Sequence, residues 1–261
     1  MLIETIRETA KRRQQIVAAQ SKLTLQIKAI CRGLCDGDKT EAGKLYKALI
    51  DRENDPRVDA LMWLSESLVS AHDLLETKRA ALEKELTALA GQLPVAPWVL
   101  SVRGAGLGGL ALLVGEAGDL GAYSGPAKLW KRMGLAVIDG ERQRMKAGVT
   151  QEEALAIGYN PRRRSIVWNI GDSLLKVQSA RVDKVTGEVK REAGEYRKLY
   201  DERKKLEVEK DPTGRPAAHH ARAKRYVEKR YLRELWIAWR NPPKVEPVAP
   251  TKTKRRAKVK A

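Results

Sequence analysis

The sequence contains no phenylalanine, only two cysteines and only three histidines. Cys31 and Cys35 lie four residues apart in a segment with helical periodicity, and no histidine lies near them in the sequence. Because a structural zinc site needs four cysteine or histidine ligands, this pair predicts two reduced thiols in a cytosolic helix. His219 and His220 have no evident partner, and we expect both at the surface. We predict no metal site and no cofactor.

Long apolar runs are also missing. No stretch of 18 apolar residues occurs, which argues against a transmembrane helix. The opening segment, MLIETIRETAKRR, is amphipathic and charged and differs from a signal peptide. We therefore expect no membrane partner and a cytoplasmic, nucleoid-associated location in a bacterial or phage context.

Acidic residues are scarce relative to basic ones. The 261 residues include 51 Lys and Arg but 33 Asp and Glu, a net charge of +18. Residues 1–92 are nearly balanced, with 15 basic and 14 acidic residues, so the excess lies in the rest of the chain. A balance of this kind favours polyanionic partners, with nucleic acid first among them.

Strand patterns are rare, and the sequence predicts a mainly α protein. Residues 1–92 are predicted to form a helical region with helices over 2–32, 39–52 and 57–91, the first ending at Gly33. The helix over 57–91 carries a leucine stripe with spacings of three, four and seven, which predicts a long-helix hairpin or a short coiled coil. This stripe either packs within the chain or forms a homodimer.

Residues 93–240 are predicted to form a second helical domain. Asn160 and Pro161 are typical of a helix start, as N-cap and first helical residue. Residues 241–261 are rich in Pro and Lys and are predicted to be a disordered basic tail that binds polyanions weakly. The other elements expected in this domain are helices over 126–134, 188–209 and 217–240, an extended segment over 135–139 and a polar segment over 140–158.

The segment VLSVRGAGLGGLALLVGEAGDL, residues 99–120, contains the spacing G-x-G-x-x-G at Gly104, Gly106 and Gly109. In a dinucleotide-binding unit this motif joins a strand to a helix, and an acidic residue follows about 20 residues later. Here Asp139 comes 30 residues after Gly109, and no alternation of strands and helices follows. The pattern therefore disfavours a dinucleotide site.

The same glycines fit a helix-hairpin-helix better. A short helix over 98–102 would end at a turn of Gly104, Ala105 and Gly106, and a second helix would run over 107–116. Glycine permits positive φ and close approach of a ligand, and the free amides at a helix start favour an anion. We predict phosphate contacts from Arg103, Gly104, Gly106 and Gly108; the alternative is an ordinary turn between two core helices.

Two further basic sets are candidate nucleic-acid contacts. Arg162, Arg163 and Arg164 fall in the first turn of a predicted helix, where positive charge opposes the helix dipole unless an anion is bound. In the last helix the basic residues lie opposite an apolar face, an arrangement common in nucleic-acid-binding helices. Either set can instead be a solvated cluster. The candidates in the last helix are Arg222, Arg225, Lys229 and Arg233.

From Leu93 to Trp239 the chain resembles the C-terminal domain of the DEDD insertion-sequence transposases, which are guided by a bridge RNA. A leucine-rich helix precedes this region, and five blocks follow in the family's order. The blocks are SVRGAGLGGLALLVGEAGDL, YSGPAKLWKRMGL, GYNPRRRSIV, YRKLYDERKKLE and AAHHARAKRYVEKRYLRELW.

The resemblance implies DNA binding, but both halves of the family's active site depart from it. The family has an N-terminal RuvC-like domain whose carboxylates hold Mg²⁺, whereas residues 1–92 here read as helical. The family also has a serine shortly after a Gly-Leu pair, and here no serine occurs between Ser124 and Ser165. A nucleophilic hydroxyl must stand on a positioned loop, so the sequence predicts no catalytic residues.

We therefore expect a transposase-related, non-catalytic protein that binds the DNA backbone with weak sequence preference. Two alternatives stay open. In the first, the chain is an active or split recombinase that needs a separate catalytic subunit. In the second, it is an RNA-binding or structural assembly protein.

Overall fold

The computed structural model describes residues 1–53, 56–59, 61–144, 148–183 and 185–242. The fold is mainly α, as the sequence predicts. Among the described residues, no helix is both long enough and apolar enough to cross a bilayer.

Two long antiparallel helices dominate the N-terminal part. Their neighbours are short: α2 (Lys39–Asp51), α3 (Pro56–Asp59), α4 (Met62–Leu64) and a π-helical turn (Ser65–Val69). The long helices are α1 (Leu2–Leu34) and α5 (Ser70–Gly91). The Thr9 hydroxyl donates to the Glu85 carboxylate at 3.1 Å, and the Gln20 side chain donates to the Glu76 carboxylate at 2.6 Å. Residues early in α1 therefore contact residues late in α5, so the two helices are antiparallel.

The helix boundaries in the N-terminal part differ in places from those predicted. α1 continues through Gly33 to Leu34, so the expected stop at Gly33 is wrong; positive φ occurs later, at Asp36 and Gly37. In place of the single helix expected over 57–91, the described residues form α3, a turn at Leu61, α4, the π-helical turn and α5. The start of α2 has an N-cap that was not predicted from the sequence. The Asp38 carboxylate accepts hydrogen bonds from the amides of Thr40 and Glu41.

Two groups of buried side chains hold the chain together. The smaller lies between the C-terminal half of α1, α2 and residues 61–69. The larger joins Ile6, Leu86 and Ala90 to residues 93–238, so this core extends across the boundary predicted at residue 92. Leu61, Leu64 and Leu86 of the leucine stripe are buried within the chain, and a homodimer through residues 57–91 stays a prediction.

The rest of the described chain is built from short elements around one central helix, α12. The helices are α6 (Ala96–Ser101), α7 (Leu107–Ala117), α8 (Pro126–Arg132), α9 (Gln151–Ile157), α10 (Pro161–Val177), α11 (Glu195–Lys210) and α12 (Pro216–Arg240), with a 3-10 turn at Leu120–Ala122. The strands are β1 (Val137–Ile138), β2 (Glu141–Arg142), β3 (Arg181–Val182) and β4 (Val189–Arg191). β1 pairs with β2 and β3 with β4, both antiparallel.

These hairpins correct two expectations. Asp139 and Gly140 both have positive φ and join β1 to β2, which is the geometry of a two-residue hairpin turn. Residues 189–191 form β4, so the helix expected from residue 188 starts only at Glu195. The N-cap at Asn160 is confirmed, since its side chain accepts the amides of Arg162 and Arg163.

Tryptophans fix α12 to the elements around it. The Trp236 indole donates to the carbonyl of Tyr123 at 3.0 Å, and the Trp239 indole donates to the Asp119 carboxylate at 2.9 Å. The Trp130 indole of α8 donates to the carbonyl of Lys229 at 3.1 Å. α12 therefore has a defined position relative to the glycine hairpin. Most of the predicted tail, residues 243–261, lies outside the described residues.

Candidate nucleic-acid interface

The glycine segment forms two helices joined by a tight turn, as predicted. α6 ends at Ser101, and α7 begins at Leu107. Gly104 has a φ of +92°, which a residue with a side chain rarely adopts. Gly106 has a φ of −153°, so the positive φ expected there is wrong, and its role is to leave the helix start bare.

One side of the turn packs against α10. A Cβ atom at Gly104 would lie 3.0 Å from both the Leu174 Cα and the Ser173 carbonyl oxygen, so the backbones are in direct contact. The Ser173 hydroxyl donates to the Gly104 carbonyl at 2.8 Å. The Gln178 side chain donates to the Arg103 carbonyl at 2.6 Å. These contacts fix the orientation of the turn.

The other side of the turn faces solvent. Gly106 and Gly108 are exposed, and no side chain of the described residues caps the start of α7. The first intrahelical bond runs from the Leu110 amide to the Gly106 carbonyl, so the three preceding amides point out of the helix. A cleft of about 490 Å³ opens beside them, lined by the turn, by Asn169 and Ser173 of α10 and by the apolar side chains of Leu112, Ile166 and Ile170.

Arg103 is exposed at the same turn, but its guanidinium lies toward the segment between β4 and α11. It is within 3.5 Å of the Glu192 carbonyl oxygen. Arg103 lines a cleft with Gln178 and Glu192 that is distinct from the cleft beside the uncapped amides.

The three consecutive arginines at the start of α10 have protein partners. Arg162 and Arg163 both pair with Glu116 near the end of α7, the latter at 3.2 Å. Arg164 lies 2.7 Å from the fully buried Glu228 of α12. The carboxylates thus offset the unfavourable position at a helix start. Phosphate contacts from these arginines stay a prediction, and Arg162 is the most exposed of the three.

The basic residues predicted on α12 do not share one solvent-facing stripe. Arg222 and Arg233 are exposed, and Arg222 lies 3.3 Å from Asp211. Arg225 and Lys229 are half-buried. The α12 cations therefore divide into an exposed pair and a partly desolvated pair.

The charged forms of Arg225 and Lys229 are disfavoured by burial and by neighbouring cations. Burial lowers the pKa of Arg225, and the nearby guanidiniums of Arg164 and Arg142 lower it further. Burial and Arg225 lower the pKa of Lys229, whose ammonium lies 5.3 Å from the centre of the Trp130 ring. Arg142, on β2, was not among the predicted contacts. The Asp139–Gly140 pair was the signal that could have placed it on a hairpin.

The two adjacent histidines have different surroundings. His219 is buried, so its expected surface position is wrong. His220 is exposed, and its Nδ1 lies 2.6 Å from the Tyr200 hydroxyl. Desolvation, followed by the charge of Lys224, lowers the pKa of His220. The contact between Tyr200 and His220 joins α11 to α12.

The two cysteines are not part of a metal-ligand group among the described residues. Cys31 and Cys35 are free thiols, and burial, reinforced by Cys35, raises the pKa of Cys31. In the part of the chain that the structure describes, no three His, Cys, Asp or Glu side chains are grouped closely enough to hold a metal ion.

Comparisons of this chain with protein-family models, with curated proteins and with solved structures give no match.

Proposed function

We propose that this protein binds nucleic acid through the sugar-phosphate backbone, with the α6–α7 hairpin as a principal contact. The observation that carries this proposal is the two-sided hairpin. One side is locked against α10 by Ser173 and Gln178, while the other exposes an uncapped helix start between Gly106 and Gly108. Because these outward-pointing amides are already held in position, binding a phosphate does not require the loop to become ordered, which would cost free energy.

The chemistry of this surface favours low sequence preference. Amides at a helix start contact phosphate oxygens, which are the same for every base. Arg103 adds an exposed cation at the other side of the same turn, and the net charge of +18 attracts a polyanion over longer distances. Duplex DNA is the preferred target in this proposal, and structured RNA is the alternative.

We also propose that residues 93–240 are related to the transposase domain named above and that the chain is non-catalytic. The order of the five sequence blocks supports the relationship. They coincide with the glycine hairpin, α8, the start of α10, α11 and α12. Incubation with supercoiled DNA and Mg²⁺ tests the second part, since nicking by the purified protein would favour the recombinase alternative.

Gly108→Glu is the sharpest test of the hairpin. A Cβ at Gly108 meets only the Thr87 hydroxyl at 3.7 Å, and a carboxylate in the first turn is favourable for a helix. We expect the variant to fold normally and to bind a 20-base-pair duplex at least about tenfold more weakly, because the new carboxylate repels the phosphate. Fluorescence anisotropy measures the affinity.

Gly108→Gln is the matched control, since it adds nearly the same volume without the charge. We expect it to retain most of the binding. If Gly108→Glu binds the duplex with wild-type affinity, the hairpin is not part of the interface. Recovery of RNA rather than DNA with the purified protein would select the RNA alternative.

A further inference from the structure

A second group of cations lies apart from the exposed side of the hairpin. Arg142 of β2, Arg164 of α10, and Arg225 and Lys229 of α12 come from three separate elements. Arg164 lies 2.7 Å from Glu228, which is on α12 three residues after Arg225 and next to Lys229. Arg142 and Arg164 also act electrostatically on Arg225. We call these four residues the four-cation cluster.

One buried carboxylate, Glu228, lies within this cluster. Glu228 is the one carboxylate among the groups that act most strongly on Arg225, and it is already engaged by Arg164 at 2.7 Å. Burial also raises the pKa of Glu228 to about 7, so it carries only part of a negative charge at neutral pH. Arg164 and Arg225 therefore share less than one full counter-charge from Glu228.

Hydrogen-bond donors in the cluster are also left without acceptors. The Arg225 Nε and Arg164 Nη1 atoms are buried, and neither has a hydrogen-bond partner among the described residues. Buried guanidinium nitrogens without acceptors are costly, and phosphate oxygens satisfy them well. Both Glu228 oxygens are likewise buried without a hydrogen-bond partner among the described residues, so the two orphaned donors point to an anionic ligand bound beside a partly protonated carboxyl group.

Arg142 is the exposed member of the cluster, and the other three residues are partly buried. Arg142 lines a cleft of about 500 Å³ together with Lys131, Arg144 and apolar side chains such as Ile157. The lining of this cleft does not include the other three cluster residues. Glu141 and Glu153 also line this cleft, so its charge is mixed at the rim. The Lys229 ammonium is held over the Trp130 ring, which limits the space it samples.

We propose that the four-cation cluster is a binding site for a phosphate group, and that in the nucleic-acid complex it takes a backbone phosphate. This use of the site rests on the proposed function. The site itself rests on the converging cations and the unsatisfied donors. It gives the protein a second backbone contact, which fixes the nucleic acid in one orientation together with the hairpin.

The first test uses inorganic phosphate and the full chain. We expect millimolar phosphate to raise the melting temperature of the wild-type protein above its value in sodium chloride of equal ionic strength. Arg142→Gln and Arg225→Lys should lose this increase, and the exposed Arg32→Gln, on α1, should keep it. Equal stabilisation by chloride and phosphate in the wild type would overturn the proposal.

The second test uses duplex DNA at several salt concentrations. We expect Arg142→Gln to bind about eightfold more weakly at 0.1 M salt and to flatten the slope of log K against log salt by about 0.9, the effect of one lost phosphate contact. Arg32→Gln should change the slope much less. Arg142 is exposed on a two-residue strand, so its variant keeps the fold even if Arg225→Lys does not.

The two tests separate this site from the proposed function. Phosphate stabilisation that depends on Arg142, in a protein that binds no nucleic acid, supports the site and rejects the function. Nucleic-acid binding that is unchanged in Arg142→Gln, with no specific stabilisation by phosphate, supports the function and rejects the site.

Discussion

Glu228 is a fully buried carboxylate on α12, and one glycine makes room for it. A Cβ at Gly171 on α10 would lie 2.7 Å from the Glu228 Cγ, so even alanine would collide there. Burial raises the pKa of Glu228, while Arg164, Lys224 and Arg225 oppose the rise. The residue is thus held where its protonation responds to pH near neutrality.

This environment predicts a specific pH dependence of stability. The pKa of Glu228 is about 7 in the folded state, against a reference value of 4.5. Between these values the folded state holds a proton that the unfolded state has released, so stability falls as pH rises. For a shift of this size the loss is about 3 kcal/mol over the full range.

Glu228→Gln removes the titrating group and keeps nearly the same shape. We expect its free energy of unfolding, relative to wild type, to rise by about 2–3 kcal/mol from pH 5 to pH 7.5. Urea unfolding of both proteins at the two pH values gives this difference and cancels contributions from other groups. Parallel pH profiles would show that Glu228 does not titrate in this range.

At the scale of elements, the stability of the hairpin depends on its contact with α10. Gly104 combines a positive φ with a backbone contact to Leu174 and Ser173 that leaves no space for a side chain. This glycine is structural, whereas Gly106 and Gly108 keep the solvent side bare. The predicted functional glycines therefore have two different roles.

Gly104→Ala should lower the free energy of unfolding by about 1–3 kcal/mol, from backbone strain and the contact with α10. The control is Gly43→Ala in the exposed interior of α2, where nothing lies within 4 Å of a new Cβ. We expect that change to raise stability by about 0.5–1 kcal/mol. Denaturant unfolding measures both, and a neutral Gly104→Ala would mean that the turn tolerates a side chain.

At the scale of the whole molecule, the proposed nucleic-acid binding depends on a positive charge that is concentrated outside residues 1–92. Residues 243–261 alone contain seven basic residues and one acidic residue. We expect removal of these residues to flatten the slope of log K against log salt by at least about 2, because several counterions are no longer displaced.

Binding should persist in the truncated protein at low salt, since the hairpin remains. Anisotropy titrations at four salt concentrations provide the measurement. An unchanged slope would exclude these residues from the contact.

Local patterns predicted a large part of the fold. Asn160 caps α10, Pro126 starts α8, and the glycines of residues 104–106 separate two helices, all as read from the sequence. These features depend on hydrogen bonds and φ values within a few residues. The strand at 189–191 was missed because two- and three-residue strands have too little periodicity to be recognised.

The partners of the charged side chains could not be predicted in this way. Arg162 and Arg163 share Glu116, which is more than 40 residues away, and Arg225 lies near Arg142 through the folding of a hairpin. The sequence alone determined the helical class, most helix starts and the excess of positive charge, because these follow from local periodicity and composition. Only the tertiary structure decided which cations pair with carboxylates, because that depends on distances between elements far apart in the chain.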